Sequence, residues 1–298
     1  MGAYYGLGLG LGGAPVPIRG SHLAVGGLIE QFPGAAAAYS LRALRNNTGN
    51  VVRVRRSSDD TEQDFTAAQV SDGSLTTFCG AGDGFVATWY DQSGNSNDAT
   101  QATTTEQPQI VDSGALVTGG LDFGVVDKFL QFNTDIAQDV GYFQAFSVTT
   151  RIDTATSVGR LLSVSIGTGS SARILLGSDG STANRFRIGG RRLDADSFAD
   201  FTSDTNHGTT ERLITGFWNF SDADIFLYQD GTEVASSASF QTAGNTSDTA
   251  SQDTSSTGIG CLSYRGNVNE IVIYATDQSA NRSAIEANIA DAYGITLA

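Results

Sequence analysis

The polar run Asp91-Gln-Ser-Gly-Asn-Ser-Asn-Asp98 gathers side-chain oxygens from seven of its eight residues. Asp91, Asn95, Asn97 and Asp98 are ligands of the type calcium takes. The spacing is not that of an EF-hand loop, and the terminal Glu is missing. Asn and Asp also bond their own backbone, so the same run reads as a self-satisfied loop. Trp89 and Tyr90 precede it, and aromatic rings there could stack on a sugar or fill a core. Trp89, Tyr90, Asp91, Asn95, Asn97 and Asp98 are therefore the candidate glycan- or ion-binding residues, with calcium the one weakly implied cofactor.

Other chemistry has little material. Two histidines, His22 and His207, leave almost nothing for a zinc site or a His-based triad. Cys79 and Cys261 are far apart, and sequence leaves a disulfide and two buried thiols both open. Asp194 with Asp196, and Asp222 with Asp224, are carboxylate pairs in loop or turn contexts. A general acid needs a raised pKa and hence burial, so these pairs read as acidic surface. Arg185, Arg187, Arg191 and Arg192 form the one basic patch, suited to an acidic neighbouring subunit or to water. The net charge of −15 argues against a nucleic-acid partner.

The elements that position these groups are mostly strands. Gly is abundant at 36 residues and Pro scarce at 4, a mixture that suits short strands and many turns. Strands are expected at Val51–Arg55, Phe85–Tyr90, Leu121–Phe123, Phe129–Phe132, Phe146–Ile152, Leu161–Ile166, Ala172–Leu176, Phe186–Ile188, Leu213–Asn219, Ile225–Tyr228 and Val268–Tyr274. Alanines predict a short helix over Ala35–Leu44. Ile285, Ile289 and Ala292 mark a helix over Ser279–Tyr293, with Gly294 as its cap. Ser239–Thr257 is an exposed loop by composition.

The first residues differ in kind. Leu7, Leu9 and Leu11 alternate with Gly, and Pro15 and Pro17 follow. That stretch is too broken to cross a membrane and lacks the basic start of a secretory signal. It predicts an extended arm, residues 1–34, that docks on another surface through Tyr4, Tyr5, Leu7, Leu9, Leu11, Pro15 and Pro17.

The C-terminal half resembles laminin-G-like and concanavalin A-like domains. Gly266–Tyr274 followed by Arg282–Ile295 is similar to their closing strand and helix. Ile214–Phe220 and Ile225–Ala235, joined at Asp230-Gly231, are similar to their central hairpin. The front half resembles the catalytic sandwich of arabinofuranosidase B in Arg42-Ala-Leu44, Arg56-Ser-Ser-Asp-Asp60, Thr77-Phe-Cys79 and Trp89–Asn97. Both resemblances imply one all-β, antiparallel jelly-roll sandwich over residues 35–298, with a short N-terminal helix, a C-terminal helix and the arm in front.

The departures from that family shape the functional expectation. Gly84 stands where the partner of the motif cysteine is expected. Within Ile166-Gly-Thr-Gly-Ser170, Ser170 takes the place of the nucleophilic Glu, and within Gly258-Ile-Gly-Cys-Leu262, Leu262 takes that of the acid/base Asp. A glycosidase needs that pair. The expectation is therefore a chain without catalytic residues and not an enzyme. It would be a bacteriophage virion structural protein, a capsid decoration or fibre module, made in the host cytoplasm. Glycine- and leucine-rich starts ahead of such domains resemble those of phage structural proteins. Its expected partners are other virion proteins through the arm, host-surface glycans, and copies of itself, a trimer among the options. The alternatives are a module binding host-surface polysaccharide and an arabinofuranosidase-like glycoside hydrolase.

Overall fold

The computed structural model describes residues 27–46, 49–124, 128–132, 134–152, 158–165, 172–179, 184–248, 257–262 and 264–298. In chain order the front strands are β1 (Ala35–Ser40), β2 (Asn50–Arg56), β3 (Glu62–Thr66), β4 (Gly84–Trp89), β5 (Ala99–Thr100), β6 (Gln109–Asp112), β7 (Ala115–Leu116) and β8 (Leu121–Asp122). The later ones are β9 (Tyr142–Arg151), β10 (Gly159–Ser165), β11 (Ala172–Ser178), β12 (Phe186–Gly190), β13 (Ala199–Thr202), β14 (Arg212–Asn219), β15 (Asp224–Gln229), β16 (Thr232–Ser237), β17 (Gly258–Ile259) and β18 (Gly266–Tyr274). Helices are α1 (Leu28–Gln31), α2 (Ala67–Ser71), α3 (Ser74–Cys79) and α4 (Arg282–Tyr293). Among the described residues no helix is long and apolar enough to cross a membrane.

Two antiparallel sheets form a sandwich. The large one runs β16-β15-β14-β9-β18-β8-β6-β4-β2-β3, with β1 on β18, β5 on β4 and β7 on β6; the small one runs β13-β12-β11-β10-β17. Alternation places one set of side chains inside. On β15, Ile225 and Leu227 are enclosed while Phe226 and Tyr228 are half-buried on the outer face. Phe143, Trp218, Val164, Ile174, Leu176 and Ile188 fill the space between the sheets. Trp218 crosses that space: its indole N–H donates to the Gly189 carbonyl of the small sheet at 2.8 Å.

The expected central hairpin, closing strand and C-terminal helix are present, the helix beginning at Arg282 and burying Ala290 rather than Ala292. Asp230 and Gly231 form a two-residue turn with φ of +49° and +84°, the left-handed pair that a tight hairpin needs. Helix α4 lays Ile285 and Ile289 on Phe146, Val148, Leu213, Val272 and Tyr274, on the outer face of the large sheet. Gly294, at φ +66°, ends it, and its N–H reaches the Ala290 carbonyl.

One expectation is corrected. Ala35–Ser40 is not a helix; it is β1, paired with the closing strand from Ala35↔Tyr274 to Ser40↔Glu270. Alanine's helix preference amounts to only a few tenths of a kcal/mol per residue, and pairing plus burial of Ala35, Ala37, Ala38 and Tyr39 outweighs it. Leu28 and Ile29 of α1 also pack into the α4 cluster, so the folded body includes residues that composition alone groups with the arm.

A single carboxylate fastens these late and early segments together. Glu270, on β18, is fully buried and pairs with Arg42 at 2.7 Å and 2.9 Å. It also accepts from the Ser40 hydroxyl at 2.8 Å and the Tyr293 hydroxyl at 3.0 Å. Burial, and then the Glu270 charge, push the Tyr293 hydroxyl far above the usual tyrosine range, so it stays a donor. Replacing Glu270 with Ala strands two hydroxyl donors and a cation whose side chain is 29% exposed. We expect a loss of about 3 kcal/mol, the lower end for breaking a buried pair because Arg42 can still reach water. Urea unfolding midpoints of Glu270→Ala against the parent chain measure it.

Candidate functional site

The outer face of the small sheet carries two deeply buried arginines, Arg160 and Arg173. Leu162, Val164, Ile174 and Leu176 take the inner face of β10 and β11. The opposite face carries Arg160, Ser163 and Ser165 on β10 and Arg173 on β11, and every residue of both strands is buried. The Arg160 guanidinium donates to the Ser163 and Ser165 hydroxyls at 3.0 Å and 2.9 Å. The Ser165 amide in turn donates to the Thr257 hydroxyl beside β17, at 3.0 Å.

Arg173 links this face to a carboxylate that stays open to solvent. Its side chain is 1% exposed, that of Asp194 is 37% exposed, and the two meet at 2.9 Å. The other guanidinium nitrogen donates to the Ala137 carbonyl at 3.1 Å. Burial lowers the Arg173 pKa; Asp194 and the charge of Asp248 oppose that shift. The turn after β12 holds Asp194 in place. Arg191 donates to its carbonyl at 2.6 Å, its amide donates to Ser247, and Asp196 caps the Leu193 amide at 2.9 Å. A carboxylate fixed by a buried arginine yet reachable from water is suited to act as a base, a nucleophile or a hydroxyl acceptor. Arg160 and Arg173 supply cationic donors for a polar ligand. Sequence reading singled out neither arginine, because one charge in a β-run carries no motif; only Asp194 was in view.

The basic patch disperses into local bonds. Arg187 pairs with Asp200 at 2.8 Å, Arg185 donates to the Ser203 carbonyl, and Arg192 donates to that of Asn245. Of the acidic pairs, Asp222 bonds Asn219, and Asp224 opens β15.

The Asp91–Asp98 loop is stitched to β1. Asp91 accepts from the Ala38 and Ser93 amides at 2.8 Å each, from the Ser93 hydroxyl at 2.7 Å and from the Asn97 amide at 3.0 Å. Asp98 accepts from the Asp91 amide, while Asn95 and Asn97 donate to the Ala35 and Ala36 carbonyls. Trp89 is enclosed in the core 5.8 Å from Tyr39. Tyr90 is half-buried, donates to Asp64, and has its hydroxyl pushed up to about 12, chiefly by burial. Among the described residues no group of three or more His, Cys, Asp and Glu is arranged to hold a metal ion. Tyr4, Tyr5, Leu7, Leu9, Leu11, Pro15, Pro17 and Ser170 lie outside the described residues. Leu262 is 41% exposed at φ +50°, in the turn after β17.

Residues 29–168 match the family model for the catalytic domain of α-L-arabinofuranosidase B, a little under half of the chain. No curated protein matches the chain in sequence. Among solved structures, a GH54 α-L-arabinofuranosidase soaked with a cyclic sulfate inhibitor overlaps with a TM-score of 0.54 at 16% identity. That overlap covers 88% of this chain and 64% of the other. A point mutant of a GH54 α-L-arabinofuranosidase soaked with 4-nitrophenyl α-L-arabinofuranoside gives the same TM-score and coverage at 18% identity. The chain thus spans less than two thirds of these structures, which share its fold. A Trypanosoma rangeli sialidase overlaps less well, at a TM-score of 0.49 and 19% identity over 70% of this chain and 32% of the other.

These findings correct the expectation of a non-enzyme. The matched model is a catalytic domain, and the shared sandwich is that of glycoside hydrolases. Ser170 and Leu262 at the places of the family's carboxylates do not by themselves exclude hydrolysis, because the chain carries other carboxylates. The front-half resemblance to the arabinofuranosidase sandwich coincides with the matched stretch.

The resemblance implies a disulfide between Cys79 and the position of Gly84. Cys79 and Cys261 are both buried, and no disulfide joins them. A Cβ at Gly84 would stand 2.8 Å from the Cys79 sulfur. Disulfide geometry, with S–S near 2.05 Å, sets that separation at about 3 Å. Gly84→Cys should therefore bond to Cys79 on oxidation, leaving one titratable thiol in the denatured chain. Two or more free thiols after complete oxidation would refute this.

Proposed function

We propose that this sandwich acts on glycans as a glycoside hydrolase of the arabinofuranosidase type, working at the outer face of its small sheet. The match of residues 29–168 to the arabinofuranosidase B catalytic domain carries the proposal. The shared sandwich supports it, and so does the buried Arg160, Arg173 and Asp194 arrangement. In this reading Asp194, ionised beside Arg173, is the nucleophile or base. Asp248, whose charge also reaches Arg173, is the second carboxylate. Arg160, with Ser163 and Ser165, orients sugar hydroxyls.

The test is release of 4-nitrophenolate from 4-nitrophenyl α-L-arabinofuranoside by the purified chain. Asp194→Asn should lower kcat by about a hundredfold or more, the scale of a lost acid/base or nucleophilic group. Asp248→Asn should fall similarly, and the surface variant Asp59→Asn should not. No turnover of any aryl glycoside by the parent chain, or full activity in Asp194→Asn, sinks the reading.

A second proposal concerns where the module works. The Gly-Leu arm favours a bacteriophage particle, with other virion proteins as partners and copies of the chain as neighbours. Deleting Met1–Pro17 should leave the sandwich folded but keep it off the particle. Normal incorporation of the truncated chain would end that proposal.

A further inference from the structure

The outer face of the large sheet carries a strip of aromatic rings that α4 reaches only at its Tyr228 end. Tyr142 on β9, Phe217 on β14, and Phe226 and Tyr228 on β15 follow one another with centroids 6.4, 5.8 and 6.3 Å apart. Their planes differ by only 25°, 30° and 21°. Strand register explains the line. Phe217 stands opposite Phe226, Tyr142 is its diagonal neighbour, and Tyr228 is two residues beyond Phe226 on the same face.

The strip is not part of the core. Phe143, Trp218, Ile225 and Leu227 already fill the inner side of the same strands. Under α4 the outer face is packed by Val148, Leu213 and Val272 together with Ile285 and Ile289. Arg282 lies over Tyr228 at 3.9 Å and closes one end. Beyond it Phe217 is nearly enclosed, while Tyr142 and Phe226 on either side of it are partly buried, each with one edge open to water.

Polar groups border the strip. Ser236, exposed, faces Phe226 across β16. Asn219 and Asp222 bond each other at 3.0 Å beside Asp224. Gln144, directly across from Phe217, is fully buried, and neither atom of its amide has a hydrogen-bond partner. Buried amides are rarely left so, and a water or a ligand hydroxyl is the usual remedy.

A flat apolar strip bordered by hydroxyl, amide and carboxylate groups complements a sugar, whose ring has a C–H face and a hydroxyl edge. Charge narrows the class. Asp222, Asp224 and Glu233 flank the strip, and the chain carries a net charge of −15, so an acidic glycan is repelled. We propose that the Tyr142–Phe217–Phe226 strip is a second glycan-binding surface that takes a neutral polysaccharide, on the opposite side of the sandwich from Arg173 and Asp194. It holds polymer without cleaving it, so it stands whether or not the small-sheet site hydrolyses.

Affinity electrophoresis of the full chain through gels containing linear arabinan, a neutral β-glucan or polygalacturonate tests this. Retardation is expected in at least one neutral gel and not in polygalacturonate. Tyr142→Leu/Phe226→Leu should weaken retention about tenfold, the equivalent of one lost stacking contact. Ser236→Arg, at an exposed position that disturbs no packing, should weaken it too, and thermal unfolding confirms that each variant folds. Cleavage of the aryl arabinofuranoside should be unchanged in all of them. Four outcomes overturn the proposal: no retardation in either neutral gel, leucine variants retained like the parent, loss of aryl-glycoside cleavage with loss of retention, or a dimer in sedimentation that the leucine variants dissolve.

Discussion

A buried negative charge decides how this chain closes. Glu270 cannot sit unpaired between a strand and a helix, because an isolated carboxylate in such surroundings is very costly. Its partners come from distant stretches: Ser40 and Arg42 near the front, Tyr293 near the end. Satisfying Glu270 therefore fixes β1 along β18 and seats α4 on the outer face in one arrangement. A register slip of one residue would turn Glu270 onto the inner, apolar face, away from Arg42, and would turn Ile271 and Ile273 out of the core.

The remainder of the sandwich inherits its geometry from that closure. β18 holds β9 along one edge and β1 and β8 along the other, so the two halves of the large sheet meet on it. β9 then carries β14, and Trp218 of β14 reaches across to Gly189 of the small sheet. The face bearing Arg160 and Arg173 and the face bearing the aromatic strip are thus set back to back, separated by one apolar layer. Each is framed by groups that the other does not share.

The C-terminal half was legible because its signals are local. Asp230-Gly231 permits a left-handed turn, Ile285 and Ile289 repeat at helical spacing, and Gly294 ends the helix, each readable within a few residues. β1 was not legible. Its alanines favour a helix locally, and only pairing with residues more than two hundred positions away makes it a strand. α2 and α3 escaped because they are only five and six residues long, too short for a helical repeat to show, although Thr66 and Gln69 form a capping box at the start of α2. The candidate site was legible only at Asp194. Arg173 becomes notable through its burial and its partner, and neither is written in the residues around it. The strip was hidden because Tyr142, Phe217 and Phe226 sit on three different strands.

The glycine beside Cys79 also bears on the conditions the chain tolerates. The resemblance to the arabinofuranosidase sandwich implies a disulfide at this corner. Here Gly84 instead packs against the sulfur, Val54 and Val111, so ordinary contact closes the corner. No step in acquiring this interior then involves electron transfer, and glutathione or an oxidising compartment should leave the native state equally well formed.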